Sequence, residues 1–308
     1  MKLIDQKAEL IEQKPGIDGV FEIIDTVAGI CYGRNGTNEN PRKSVATLVK
    51  KGFMRPLEFG TIYLYLESNP ENAFKRFTYP LCGFTASYNW SDVVGNTYAR
   101  YASDKYSESK SFFDGTVCRV YITTNYRVIV ENGWEDDLQF LSDKKDRHAD
   151  RPCVCLTCSM ATSDSFSTLT TLSSIVRQTR CCDYSDIEII KPVWLEKKSP
   201  TATTEELYSM LEGTEDPETS QTNDVFWWWY TLQSCEDGYK NMIECGRRRQ
   251  EAVGVLPMDA GTRLCLCGFL HKDYVDEGWN RFMKLWLEAD GHENAKILAR
   301  QIKEIIIK

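Results

Sequence analysis

The sequence predicts an α+β fold, and three observations predict it. Alternating β-branched and aromatic runs, as in 57–66 (LEFGTIYLYL) and 152–158 (PCVCLTC), read as strands. Apolar residues at three- and four-residue steps, as in 274–304, read as helices. No internal repeat and no Gly-rich phosphate loop of the P-loop or Rossmann type is present. With 42% hydrophobic and 27% charged residues, the 308-residue chain can bury a sizeable core. The organisation expected is a single domain over 1–308 with insertions at about 68–114 and 197–223.

Residues 1–15 form a charged amphipathic segment without a continuous apolar run, and 18–32 hold a short apolar stretch. Asn35 to Pro41 is a turn-rich break, after which Ser44 is expected to cap a helix with Val45, Leu48 and Val49 on one face. The strand at 57–66 leads into 68–114, whose length marks it as a functional, interfacial or mobile loop. Val117 to Thr123 reads as a strand, and Asn125 to Leu141 as helical with turn chemistry at Asn132-Gly133. Residues 161–180 are crowded with Ser and Thr, indifferent helix formers. Phe166, Leu169, Leu172, Ile175 and Val176 nonetheless keep helical spacing, which predicts a helix with a polar face. Residues 187–195 (IEIIKPVWL) suggest a further strand. The acidic Ser-, Thr- and Pro-bearing stretch 197–223 suggests a surface excursion with one short helix around Glu205 to Leu211. Val225 to Cys245 reads as a helix closed by Gly246, and 274–304 as an amphipathic helix or helix pair.

No stretch of eighteen apolar residues occurs, which predicts a cytoplasmic protein without a membrane partner. The formal charge is -8, and the longest basic run is Arg247-Arg248-Arg249. That argues against an extended nucleic-acid track and leaves room for a mononucleotide phosphate. The twelve cysteines are expected as free thiols. Strand periodicity puts Cys153 and Cys155 on one face and Cys158 on the other, and Cys265 and Cys267 lie between leucines. Buried small hydrophobes therefore fit these cysteines better than a zinc site, and no metal is expected. His148 and His271 sit in polar stretches, and His292 has no placed carboxylate for acid–base work. Cys181 and Cys182 lie beside Arg180 with no histidine near in sequence. The run Phe226 to Tyr230 cannot face one way on a helix, so part is expected in the core and part against another subunit.

Three separated stretches resemble the flavin-dependent thymidylate synthases. The first is Ser44-Val45 with Pro56-Leu57-Glu58-Phe59-Gly60-Thr61. The second runs from 123–141 (TTNYRVIVENGWEDDLQFL) through PCVCLTC to RQTRCCDYS and IIKPVWL. The third is YKNMIECG…EAVGVLP, from Tyr239 to Pro257, with Gly291-His292 further on. The resemblance implies a thymidylate-synthase-complementing-type fold, a twisted sheet flanked by helices, and a homotetramer. It also implies a site for flavin adenine dinucleotide (FAD) beside deoxyuridylate (dUMP). On the family signature R-H-R-x-x-S-x-(N or Q)-E-x-S-x-R, the cationic triplet falls on Thr168, Leu169 and Thr170. Ser173 and Arg180 keep the family's residues, Gln178 stands at its second serine, and Arg177 brings a cation where the family carries an acid. Val253 replaces the arginine of its E-x-A-R-x-V-L-P segment, Phe59 a histidine and Trp286 a late arginine.

A bound pyrophosphate needs cationic forks, each charge-assisted hydrogen bond contributing about 1.5–3 kcal/mol, and Val253 can neither donate nor carry charge. The reading is a thymidylate synthase-like protein with a degenerate site and no confident catalytic residue. It would bind or sequester a dUMP-like nucleotide through Ser173, Gln178 and Arg180, or act as a scaffold. Arg177, Arg247, Arg249, Asn125 and Arg127 are candidate phosphate or cofactor support, with Arg34 a further cation that could compensate. No cofactor is expected unless the chain is an active synthase with a rebuilt site, in which case FAD is. The alternatives are that active enzyme, converting dUMP to dTMP, or a structural assembly protein. A heteromer with an intact paralogue is the remaining partner expected besides a homotetramer.

Overall fold

The computed structural model describes residues 1–34, 36–67, 92–114, 116–168, 171–198, 206, 209, 211, 224–271, 277–288 and 292–307. In chain order the described elements begin with β1 (Lys2–Ile4), β2 (Lys7–Leu10), α1 (Gly16–Cys31), α2 (Pro41–Lys50), β3 (Thr61–Glu67), α3 (Asp92–Ala102) and β4 (Glu108–Phe113). They continue with β5 (Cys118–Asn125), α4 (Tyr126–Asn132), β6 (Cys153–Ser159), α5 (Met160–Thr168), β7 (Ser173–Val176), β8 (Glu188–Ile190) and α6 (Val193–Lys198). The last are α7 (Asp224–Glu244), α8 (Arg249–Ala252), β9 (Gly261–Cys267), α9 (Gly278–Glu288) and α10 (Glu293–Ile306). Helices and strands are both abundant and the larger sheets are antiparallel, as an α+β protein requires.

The chain divides into two compact units. One comprises Met1–Ile11, Val27–Gly36 and Pro152–Lys308, the other Glu12–Thr26 and Thr37–Arg151.

The second unit is built on the antiparallel sheet β3-β5-β4, with β5 in the middle. Residues expected to open the strand at 57–66 instead form a short 3-10 turn, Arg55–Phe59, before β3. Gly60 marks the change because a Cβ there would lie 2.6 Å from Ile24 Cδ1 and 2.7 Å from Val20 Cγ1 of α1. The cap of α2 is Asn40, whose side chain accepts from Lys43 N at 3.0 Å, with Pro41 in the first turn. Ser44 therefore lies inside the helix, because proline fits a position whose N–H would be unpaired anyway. Asn125 caps α4 by accepting from Val128 N at 3.1 Å, and Gly133 closes it in the left-handed region at φ 66°. The loop expected over 68–114 holds α3 and β4 from Asp92 onward, because β4 completes the sheet against β5. Its part 68–91 lies outside the described residues.

The first unit carries the antiparallel sheet β2-β6-β9-β7 and a parallel pair, β1-β8. One face of the larger sheet sends Val154, Leu156, Cys158, Leu264 and Leu266 into a core closed by Trp279, Phe282, Leu298 and Ile302 of α9 and α10. These two helices lie in the stretch 274–304 that reads as an amphipathic helix or helix pair, the second running on to Ile306. Cys153 opposes Cys267 and Cys155 opposes Cys265, all buried, so these cysteines do fill core positions. A second core gathers Leu3, Ile187 and Ile189 with Trp229, Leu232 and Tyr239 of α7.

Three local expectations differ here. The helix foreseen over 161–180 stops at Thr168, and Ser173–Val176 is a strand. Leu172 and Val176 pack towards one core from alternate strand positions, and pairing with β9 outweighs a helical spacing read through poor helix formers. The strand foreseen over 187–195 ends at Ile190, since Pro192 lacks an N–H, and α6 follows. Residues 1–15 contain β1 and β2. Charged Lys7 and Glu9 suit β2 to the sheet edge and hide its strand character. Of the helix expected around Glu205 to Leu211, only residues 206, 209 and 211 are described, and they are helical. The remainder of 199–223 lies outside the described residues.

Candidate functional site

A cavity of about 240 Å³ opens in the first unit where β7 runs into its following turn. Its wall holds three guanidinium groups, Arg34, Arg177 and Arg263, and three carboxylates, Asp183, Asp186 and Glu188.

Two of the arginines are placed by the sheet itself. Along β9, the strand period sends Leu264 and Leu266 into the core and Arg263 to the opposite face. Val176 pairs with Leu264, and Arg177 N donates to Arg263 O at 2.8 Å, so the two arginines stand directly opposite each other. Like charges so placed destabilise a sheet. Among the described residues neither Arg177 nor Arg263 makes an ion pair.

The carboxylates are compensated from elsewhere. Asp183 pairs with Arg249 at 3.2 Å, and Lys2 Nζ lies 3.2 Å from Glu188 and 3.9 Å from Asp186. Hydrogen bonds from Ser185 and then Arg249 hold the Asp183 carboxyl below its usual range. The cavity thus keeps two half-buried cations without an ion pair among the described residues, with Glu188 acting on Arg177 only at longer range.

Arg177 is fixed by packing. Its Cζ lies 5.1 Å from the Tyr184 ring centroid, and its Nε is buried without a hydrogen-bond partner. Burial opposes its charge, but the Cys182 thiol, then the Tyr184 hydroxyl and the Glu188 carboxylate, outweigh that and raise its pKa. Gly33, at φ 75°, permits the approach: a Cβ there would lie 2.9 Å from Cys182 Sγ and 3.7 Å from Arg177 Nε. Arg34 lies against Gly29, where a Cβ would meet its Nη2 at 2.7 Å, and its Nη1 donates to Gly36 O at 2.8 Å.

The residues singled out by sequence are distributed unevenly around this cavity. Gln178 and Arg180 share the turn after β7, with exposed Arg180 donating from Nε to Gln178 Oε1 at 2.8 Å. Ser173 begins β7 opposite Cys267, roughly 13 Å of extended strand from Arg177, so the chain does not bring it to Arg180. Arg249 reaches the wall through Asp183, whereas Arg247 is exposed beyond the end of α7. Asn125 and Arg127 belong to the other unit, where Asn125 caps α4 and Arg127 pairs with Glu131 and Glu58. Val253 is half-buried against the core beside α7, Phe59 is fully buried, and Trp286 packs on Phe166 at 4.7 Å. Thr168 is exposed at the end of α5, while Leu169 and Thr170 lie outside the described residues. Sequence reasoning missed Arg263; the signal was a charged residue interrupting the apolar strand G-T-R-L-C-L-C.

The histidines also fall differently from expectation. His148 is buried, not in a solvated loop. Its Nε2 bonds the Leu64 carbonyl at 3.0 Å, and its Nδ1 accepts from Lys145 N at 2.9 Å. Exposed His292 caps α10, its Nδ1 accepting from Asn294 N at 3.3 Å. Burial first, then Lys145 and Lys144, push the His148 imidazole below its ordinary 6.5, with the Leu64 bond opposing. The unfolded chain takes up this proton at a higher pH than the folded one. Stability is therefore full above about pH 6.5 and falls as the pH drops below it. Urea midpoints between pH 7.5 and pH 5.5 are expected to decline more steeply in the wild type than in His148→Gln.

Among the described residues no group of three or more His, Cys, Asp or Glu is arranged to hold a metal ion. No described helix is long and apolar enough to cross a membrane. In comparisons with known proteins, no family model matches the chain and no curated protein does.

Proposed function

We propose that the chain binds a phosphate-bearing nucleotide of the dUMP type without performing flavin chemistry, on a thymidylate-synthase-complementing-type fold and as a homotetramer. The observation that carries this reading is the directly opposed pair Arg177 and Arg263 on a cavity wall, both without an ion pair among the described residues. A phosphate dianion between two guanidinium groups replaces their repulsion with charge-assisted hydrogen bonds. The buried Nε of Arg177 supplies a donor that gains such a partner.

The cavity's volume also favours a small anionic ligand. At about 240 Å³ it falls below the roughly 300–1,000 Å³ of pockets that enclose drug-sized molecules. That suits the phosphate end of a mononucleotide and does not suit a dinucleotide. The residues at the flavin position of the resembling family do not fit that cofactor either, since Thr168 to Thr170 offer no cation. Val253, turned to packing, supplies no donor for a pyrimidine. Aromatic exposure supports the assembly: Trp227 and Tyr230 of α7 face outward, while Phe226 and Trp229 are buried.

Calorimetry with dUMP, orthophosphate and deoxyuridine tests the reading. Heat is expected with dUMP, competition from orthophosphate, and none from the uncharged nucleoside. Arg177→Met is expected to weaken dUMP binding by at least about tenfold, the effect of losing one charge-assisted bond. Absence of heat with both phosphate-bearing probes rejects the reading.

A further inference from the structure

We propose that Cys31 and Cys181 form an oxidation site, joined by a peroxide into a disulfide that staples the two walls of the cavity. The inference is independent of what the cavity binds. Cys31 ends α1 and lies between the wall residues Ile30 and Gly33, while Cys181 lies between the wall residues Arg177 and Asp183.

The backbone folds one segment onto the other. Gln178 N donates to Cys31 O at 2.9 Å, and Cys181 N and Cys182 N donate to Gln178 O at 3.0 and 3.2 Å. The turn bearing Cys181 therefore sits on the carbonyl of Cys31. Accessibility separates the three thiols: Cys181 is exposed, Cys31 half-buried and Cys182 buried. Cys182 is also engaged, its Sγ packed against Gly33 and beside Arg177. Cys31 senses both neighbours, since burial first and then the fields of Cys181 and Cys182 push its thiol up while Arg180 pulls it down.

The chemistry balances with hydrogen peroxide as oxidant. The exposed Cys181 sulfur attacks the peroxide O–O bond, giving a sulfenic acid and water. Cys31 sulfur then attacks the sulfenic sulfur, forming the S–S bond and releasing a second water. Two thiols are oxidised and one peroxide is reduced. Reduction by a dithiol restores both thiols.

The test is peptide mapping of the full chain after hydrogen peroxide treatment and alkylation of the remaining thiols. The expected product is one intramolecular peptide pair containing Cys31 and Cys181, lighter than the free peptides by two hydrogens. That pair should persist in Cys182→Ser, disappear in Cys181→Ser, and revert with dithiothreitol. Recovery of both Cys31 and Cys181 as alkylated thiols overturns the proposal, as does Cys181 paired with Cys182 or with a second chain.

Discussion

Trp279→Ala is expected to destabilise the chain by about 3–5 kcal/mol, the range for deleting a large buried aromatic side chain. Trp279 is fully buried in α9 and stacks edge-on to Phe282 at 5.5 Å within the core under β6 and β9. Its Nε1 donates to the Pro152 carbonyl at 3.1 Å, just before β6 begins. Truncation therefore leaves a cavity and takes the shorter of two hydrogen bonds from that carbonyl, which keeps only the Gly268 N–H at 3.5 Å. Urea unfolding measures it through a lower midpoint. Trp279→Phe, which keeps most of the apolar volume and loses the N–H, should recover the larger part of the loss. An alanine variant within 1 kcal/mol of the wild type would mean that α9 does not pack as described.

Asp137→Ala should also destabilise the second unit, by about 1–3 kcal/mol, because it leaves the buried Tyr101 hydroxyl without its acceptor and breaks a half-buried ion pair. The Asp137 carboxylate is buried, accepts from the buried Tyr101 hydroxyl at 2.9 Å, and is paired with Arg100. Burial and then this carboxylate push the Tyr101 hydroxyl pKa upward, so at neutral pH it remains a donor in need of an acceptor. Arg100 also stacks on Trp134 at 5.1 Å, which keeps the partly exposed guanidinium in place after the carboxylate is gone. Asp137→Asn should lose less than alanine, since the amide still accepts from Tyr101. Equal losses for the two variants would show that packing, not the charged network, holds this corner.

The sequence exposed the elements whose own pattern decides them. The strand at Thr61–Glu67 alternates, the one at Cys153–Ser159 is a short apolar run buried on both faces, and α7 is closed by Gly246, which adopts φ 84° as a helix terminator does. Elements defined by their partners were hidden. Ser173–Val176 is a strand because β9 pairs with it, and its apolar spacing alone satisfies a helix equally well. Strands β1 and β2 are three and four residues long and charged, so they carry no periodic signal. At the candidate site, Arg177 and Arg249 were visible as cations near a resembling motif. Arg263 lies 86 residues from Arg177 in sequence, and only the register of β7 on β9 brings the two together. Ser173 and Arg180 look adjacent on a motif, yet an extended strand separates them.

The most direct test of the central claim compares urea unfolding of the wild type and Arg263→Gln, each with and without dUMP. If Arg177 and Arg263 form an anion site, the variant without ligand should be more stable by up to about 1 kcal/mol, because a like-charge cross-strand pair is relieved. At a ligand concentration 100 times the dissociation constant, the wild type should gain about 2.7 kcal/mol and the variant much less. A variant that is less stable without ligand, together with a wild type that dUMP does not stabilise, would contradict the account.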